Sequence, residues 1–468
     1  MLNRWTLVEM AQAVRERTVS PQELLEAHLR QIGRLNPGLN AFVTVLEEPA
    51  RQAARRLEQT VMRADGAGPL AGVPVTVKDS FDVAGLPTLC GSRFRQDHRA
   101  SADATAVARL RRAGAVLLGK TNTPEFLMNY ETDNYITGRT NNPWDPDRTP
   151  GGSSGGEAAA IASFCSAGGI GSDGGGSVRI PAHFSGIAAL KPTPGRISAA
   201  GHFPDICHPG GLLGVAGPMA RTARDLRLLF EVLAGYDPED PFSAPVPLRP
   251  ANLEGLCVGM MEQFYEVPVQ PVLREAVREA ARALRELGFR IEEFHPRGLE
   301  RSPNLWWFFF GRLNAPLIRQ LIGDREDQAH WTGIEFMKKA EAEPAPSAVE
   351  VVENLAARDK MRSAMLRQME QCPVLLLPPC GVLAFRHRER RWMTPSKQIG
   401  LFEAMMPATP WNLLGFPAVV IPWKLSPEGL PVGIQLVGRP WEEETLLEVA
   451  VRLEQARGPL PAPPGCRD

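Results

Sequence analysis

Stretches with helical spacing of apolar residues alternate with short apolar runs of strand length along most of this chain. The first segment reads as helix. Thr6 with Glu9 fits a capping box, and Ser20, Pro21 and Glu23 fit a second one with proline in the first turn. The second helix is expected to stop near Asn36–Gly38, where Asn-Pro-Gly interrupts the pattern. Gly72–Ser80 (GVPVTVKDS) then reads as a buried strand running into a polar end. Asp103–Ala115 is amphipathic helix, and Val116–Gly119 is a buried strand after it. Glu157–Ser166, rich in alanine, suits a tightly packed buried helix. Gly168–Asp173 ends it and begins a short strand or loop, and Thr222–Gly235 is a further helix.

After a proline-rich stretch at Asp237–Gly255, which reads as a linker or as an arm across one domain, the alternation resumes. Strands are expected at Leu256–Met260, Phe289–Phe294, Val374–Pro379, Ala418–Pro422 and Val432–Gly438. Helices are expected at Val272–Gly288, Ser347–Glu370 and Glu442–Ala456. Helices alternating with apolar strands place the chain in the α/β class of layered folds. Arg301–Pro346 shows the least pattern. Its Leu305–Phe310 run (LWWFFF) reads either as core or as an apolar wall over a ligand pocket.

Composition narrows the function classes. An apolar fraction of 44% and a charged fraction of 22% over 468 residues are those of a globular protein. A formal net charge of -1 gives no basis for a dominant nucleic-acid surface, so the arginine run Arg386–Arg391 reads as solvated surface. Seven scattered cysteines without tight CxxC spacing argue against a disulfide framework or structural zinc. The N-terminus acquires charge too early for a secretory signal, and no apolar run approaches the ~18 residues of a membrane span. A cytoplasmic location is the expectation.

The familiar catalytic patterns fail one by one. Gly114–Thr121 matches the letters of a phosphate loop, but its Ala-Val-Leu-Leu interior prefers a buried strand and it follows a helix, so Lys120 reads as structural. No histidine pair has HExxH spacing. His202 and His208 lie close enough in one loop to approach each other, without a recognisable partner set. There is no GxSxG elbow. What remains is two glycine-serine stretches, Pro150–Ala160 (PGGSSGGEAAA) and Gly171–Ala182 (GSDGGGSVRIPA), each beside segments that look buried. Glycines there let several backbone N–H groups converge on one point, a nest suited to negative charge developing on a carbonyl oxygen. Ser177 ends the Gly174-Gly175-Gly176 run and is placed to attack a carbonyl against that nest. Lys78, at the end of an apolar strand, is the candidate base, because burial favours the neutral amine.

Val75–Ser80 (VTVKDS), Gly119–Phe126 (GKTNTPEF), Asn141–Ala160 and Gly171–Arg196 together closely resemble the amidase signature family. Weaker matches occur at Gly415–Pro422 and Pro431–Pro440. The resemblance spans nearly the whole chain, strongest from about residue 65 to 225. It implies a single domain over 1–468, with a central mixed, twisted β-sheet flanked by helices and residues 301–411 as a candidate cover of the substrate pocket.

It also implies a Ser-cisSer-Lys triad. Lys78 would be the base, Ser153 the bridging serine after a cis peptide from Gly152, and Ser177 the nucleophile. Ser154 would be a supporting donor, and Asp173 and Arg179 would fix the loop. N–H groups of Gly174, Gly175, Gly176 and Ser177 would hold the oxyanion. Met128 and Asn129, with Tyr130, match a family motif near the acyl pocket or pack around Lys120. The family usually carries a side chain where this chain has Gly174. The implied chemistry is amide hydrolysis through an acyl-enzyme, extending to esters or carbamates, with no metal, cofactor or nucleic acid. The partner is a small amide, apolar or aromatic to judge from Trp306 and Trp307, and the protein is a monomer or homodimer. The rival is the glutaminase subunit of a tRNA-dependent amidotransferase, from which Ile180-Pro181-Ala182 and Leu127–Gly138 depart. A non-catalytic binding protein on the same fold is the third reading.

Overall fold

The computed structural model describes residues 1–63, 68–206 and 213–467, with the side chain of Arg63 left aside. The alternation of apolar runs and amphipathic helices resolves into a mixed sheet of eleven strands. These are β1 (Phe42–Val45), β2 (Pro74–Lys78), β3 (Val116–Thr121), β4 (Gly168–Asp173), β5 (Ala188–Lys191), β6 (Val215–Ala220), β7 (Cys257–Met260), β8 (Arg290–Glu293) and β9 (Val374–Leu377). A separate two-stranded ribbon, β10 (Arg391–Met393) with β11 (Gln398–Gly400), precedes the last two, β12 (Ala418–Leu425) and β13 (Pro431–Gly438). The order across the sheet is β1-β3-β2-β4-β6-β5-β12-β13-β9-β7-β8. β3, β2 and β4 run parallel, as do β9, β7 and β8, and antiparallel pairings join the two groups.

Every residue of β2, β3 and β4 is buried, which explains their continuous rather than alternating apolar pattern. Gly168–Asp173, left between strand and loop by its composition, is an inner strand between β2 and β6. Both N-terminal capping boxes form, on Thr6 and Ser20. The second helix does not stop at Asn36–Gly38 but runs from Pro21 to Leu39 with Pro37 inside it. Proline there sacrifices one hydrogen bond in the last turn, and Asn40 closes the helix in the left-handed region at φ 52°. Asn36 then turns its Oδ1 to the amides of Ala41 and Phe42, leading the chain into β1.

The proline-rich stretch is an arm: Arg196 donates to the carbonyls of Val246 and Pro247. One disulfide is present among the described residues, Cys257–Cys372, 115 positions apart. The pairing of β7 with β9 sets them side by side, with Cα atoms 4.6 Å apart, a proximity no sequence spacing reveals. Among the described residues no helix is long and apolar enough to cross a membrane.

Candidate active site

Parallel strands β2 and β4 end beside each other, and their carboxyl ends carry Lys78 and the Ser172–Asp173 pair. Open α/β sheets place ligands at such ends. Lys78 is fully buried. Its Nζ lies 2.7 Å from Ser153 Oγ and 3.1 Å from Ser172 Oγ. Burial pulls its pKa from 10.5 down to about 7, against the opposing pull of Cys90, Asp173 and Glu157. A free amine is therefore present at neutral pH.

The segment that delivers Ser153 enters through a cis Gly152–Ser153 peptide. Its tight course needs Gly152, since a Cβ there would lie 2.6 Å from the Asn129 carbonyl oxygen. Thr123 Oγ1 donates to the Ser153 carbonyl at 2.9 Å, and Ser154 N–H donates to the Ser177 carbonyl at 3.1 Å. Ser154 Oγ also donates to the Ser172 carbonyl at 3.3 Å, tying the two glycine-serine stretches together. The buried helix Gly155–Ala162 follows, and its Glu157 sits under β2 and β3, bonded to the hydroxyls of Thr76 and Thr121. Burial raises the Glu157 carboxyl to about 7.

The loop from Asp173 to Ser177 is held by its carbonyls. Asn412 Nδ2 donates to Asp173 O at 2.9 Å, Trp306 Nε1 to Gly174 O at 2.8 Å, and Tyr130 Oη to Gly175 O at 2.8 Å. In a trans peptide the N–H opposes the C=O, so these anchors also aim the amides. The N–H groups of Gly174, Gly175 and Ser177 have no acceptor among the described residues. Gly176 N–H is the exception to the expected nest: it donates to Asp173 Oδ1 at 2.7 Å, and Gly176 instead supplies a turn at φ 117°. Asp173 and Arg179, both with wholly buried side chains, form a two-pronged pair with 3.0 Å contacts from Nε and Nη2. Burial would raise the Asp173 carboxyl, but the charge and hydrogen bonds of Arg179 outweigh it and hold the group below the usual range. Arg179 continues to Gln435 Oε1 at 2.7 Å and to the Ala408 carbonyl at 2.9 Å.

Ser177 is 8% exposed and stands at the junction of two cavities. The first, about 290 Å³, is lined by Met128, Asn129, Tyr130, Trp306, Phe310, Phe336 and Phe402, with Lys339 and Arg390. The second, about 230 Å³, includes Ser153, Ser172, Phe126, Phe203, Leu317, Ile318 and Leu321. Residues from both 301–346 and 381–411 thus reach the site. LWWFFF serves both of its readings: Leu305, Phe308 and Phe309 are core, while Trp306 and Phe310 wall the cavity. Arg390, from the run read as surface, lines the first cavity and lies 3.6 Å from the buried Glu131. Lys120 is paired with Asp79 at 2.8 Å, away from both cavities, as its strand setting implied. His202 Nδ1 bonds the Pro204 carbonyl at 2.7 Å, and His208 lies outside the described residues.

Sequence reasoning missed Ser172, Trp306 as a loop anchor, Asn412, Gln435 and Glu157. Ser172 had a signal, as the polar residue before Asp173 at the end of a buried run. Asn412 and Gln435 had none, being far away in the chain.

A family model described as Amidase matches residues 23–447. The chain is 33% identical to indoleacetamide hydrolase of Bradyrhizobium diazoefficiens, covering 98% of this chain and 87% of that protein. It is 34% identical to a glutamyl-tRNA(Gln) amidotransferase subunit of Bdellovibrio bacteriovorus, covering 96% of each. Among solved structures it resembles 6-aminohexanoate cyclic dimer hydrolase complexed with substrate, with a TM-score of 0.87, 30% identity and 99% of both chains covered.

Proposed function

The chain belongs to the amidase signature family, and from that premise we propose that it hydrolyses an amide through an acyl-enzyme on Ser177, with Lys78 as base and Ser153 as the bridge. The observation that carries this reading is the fully buried Lys78 amine, its pKa lowered to about 7 and its Nζ 2.7 Å from the Oγ of Ser153, which lines the same cavity as Ser177.

In this reading the Ser177 hydroxyl turns to Ser153 as substrate binds. Its oxygen attacks the amide carbon. The Ser177 proton passes to Ser153 while the Ser153 proton passes to Lys78. The carbonyl oxygen becomes an oxyanion against the N–H groups of Gly174, Gly175 and Ser177. The C–N bond then breaks as the proton returns through Ser153 to the nitrogen. Water attacks the ester by the same relay and releases a carboxylic acid. Asp173 and Arg179 act through the loop they hold. Residues 301–411 serve as the cover, and the aromatic wall of the first cavity supports an apolar or aromatic linear amide as substrate.

The likeness to an amidotransferase component supports a second reading, a glutaminase that passes ammonia to a partner protein. The carbon-rich walls at Ser177 support the first reading. A fluorophosphonate probe with an aryl amide tests it. Labelling lost in Ser177→Ala, and amide turnover lost in a folded Lys78→Ala, are the expected results. Near-wild-type turnover in Lys78→Ala removes Lys78 as base. Ammonia release from glutamine without aryl amide turnover selects the glutaminase.

A further inference from the structure

The two cavities at Ser177 share Leu127, Met128 and Phe310, but they differ in which catalytic groups they contain. Ser153 and Ser172 line the second cavity only; Gly175 lines the first only. An amide undergoing hydrolysis has its carbon on Ser177 Oγ and must receive a proton on its nitrogen as the C–N bond breaks. On the hydrolase reading proposed for this site, that proton arrives from Ser153. The nitrogen therefore faces the cavity that Ser153 lines, and the acyl group extends into the other one.

The amine side is then defined by the walls of the second cavity. Beyond the serines these are Phe126, Phe203, Leu317, Ile318 and Leu321, with Asp205 and Asn314 as polar members. His202 lines it as neutral imidazole, since burial lowers its pKa to about 3. An unsubstituted amide would place only an ammonia-sized group there. That group needs roughly one water's share of volume, about 30 Å³, within a cavity of about 230 Å³. Leaving most of a carbon-lined cavity unfilled forgoes the apolar contact that discriminates substrates.

We propose that this site is built for N-substituted amides, with an aromatic acyl group in the Trp306–Phe402 cavity and an apolar aryl or arylalkyl amine in the Phe203–Leu321 cavity. Ser177 sits where the two meet, and Phe310 borders both.

The test compares phenylacetamide with N-benzylphenylacetamide, which share one acyl group and release ammonia and an arylalkyl amine respectively. The expected kcat/KM ratio favours the N-benzyl amide by at least about tenfold. Leu317 lines only the second cavity and is 47% exposed, so Leu317→Trp fills that space with little demand on the core. It is expected to collapse the ratio toward one, and Leu321→Trp repeats the measurement at a second exposed wall position. Phe402→Ala, in the first cavity, is expected to move both substrates together and keep the ratio. A ratio of one or less in the wild type, with Ser177 still labelled by fluorophosphonate, overturns the proposal and leaves the hydrolase reading standing. So does a ratio that Phe402→Ala changes as strongly as Leu317→Trp. Absence of labelling at Ser177 removes the hydrolase reading itself, and this proposal with it.

Discussion

Lys78→Met converts the buried amine into a stability measurement. The Lys78 pKa falls from its ordinary 10.5 to about 7, chiefly because the amine is fully buried. A fall of about 3.5 units corresponds to roughly 5 kcal/mol by which the fold disfavours the charged form. Lysine is a base whose folded pKa lies below its unfolded one. The unfolded chain thus holds the extra proton between about pH 7 and 10.5, and stability rises with pH through that window. The slope is about 1.4 kcal/mol per pH unit where the two states differ by a full proton. Methionine matches the lysine stem in length and carries no proton, so Lys78→Met lacks this slope. Its loss of contacts to Ser153 and Ser172 is the same at every pH. Urea unfolding of both proteins at pH 8 and pH 9.5, followed by tryptophan fluorescence, isolates the proton. The wild type is expected to gain about 2 kcal/mol on Lys78→Met between those two pH values. An unchanged difference between the proteins would mean that Lys78 is already charged in the folded state, which would end its role as a base.

The same free amine should set the acid side of catalysis: kcat/KM for amide turnover is expected to rise with pH through about 7, the Lys78 pKa. A profile flat between pH 6 and 8 contradicts it. Arg179→Met leaves the buried Asp173 carboxylate without its ion-pair partner. It is expected to cost about 3–5 kcal/mol in unfolding free energy, read by denaturant titration. A Cβ at position 174 would lie 3.0 Å from Phe310 Cε2, so Gly174→Ala displaces a ring that borders both cavities. It should therefore depress kcat/KM for bulky amides more than for small ones, while equal effects on both would place Phe310 outside substrate contact.

What could be read from the sequence follows the range of the interaction. Caps on Thr6 and Ser20 and the strand ending at Lys78 depend on neighbours within a few positions, and they appear where the pattern puts them, while Gly168–Asp173, open between strand and loop in the pattern, is settled as a strand by its pairing with β2 and β6. Lys78, Ser153 and Ser177 could be linked in the sequence only through the family resemblance: the Lys78–Ser153 contact spans 75 positions, and Ser153 and Ser177 share only a cavity wall, neither of which any spacing encodes. The Cys257–Cys372 bond is hidden for the same reason, and the second helix outruns its expected end, carrying Pro37 in its last turn at the loss of one backbone hydrogen bond.

The cavities were the least legible part. Their walls combine residues 126–130, 306–336 and 390–402, and neither hydrophobic periodicity nor motif spacing encodes which face of an aromatic segment meets which loop. Gly174 shows what this costs. Read alone, a glycine at the head of this run looks like a loosened loop. In the fold its carbonyl is held by Trp306, and the space above its Cα is taken by the ring of Phe310. The bare Gly174 and the aromatic run are two halves of one wall. At Gly174 itself the loop is held by the Trp306 hydrogen bond to its carbonyl. This coupling predicts that adding a side chain at 174 requires a smaller residue at 310. Gly174→Ala combined with Phe310→Leu should recover turnover of bulky amides relative to Gly174→Ala alone, and simple additivity of the two losses would refute the coupling.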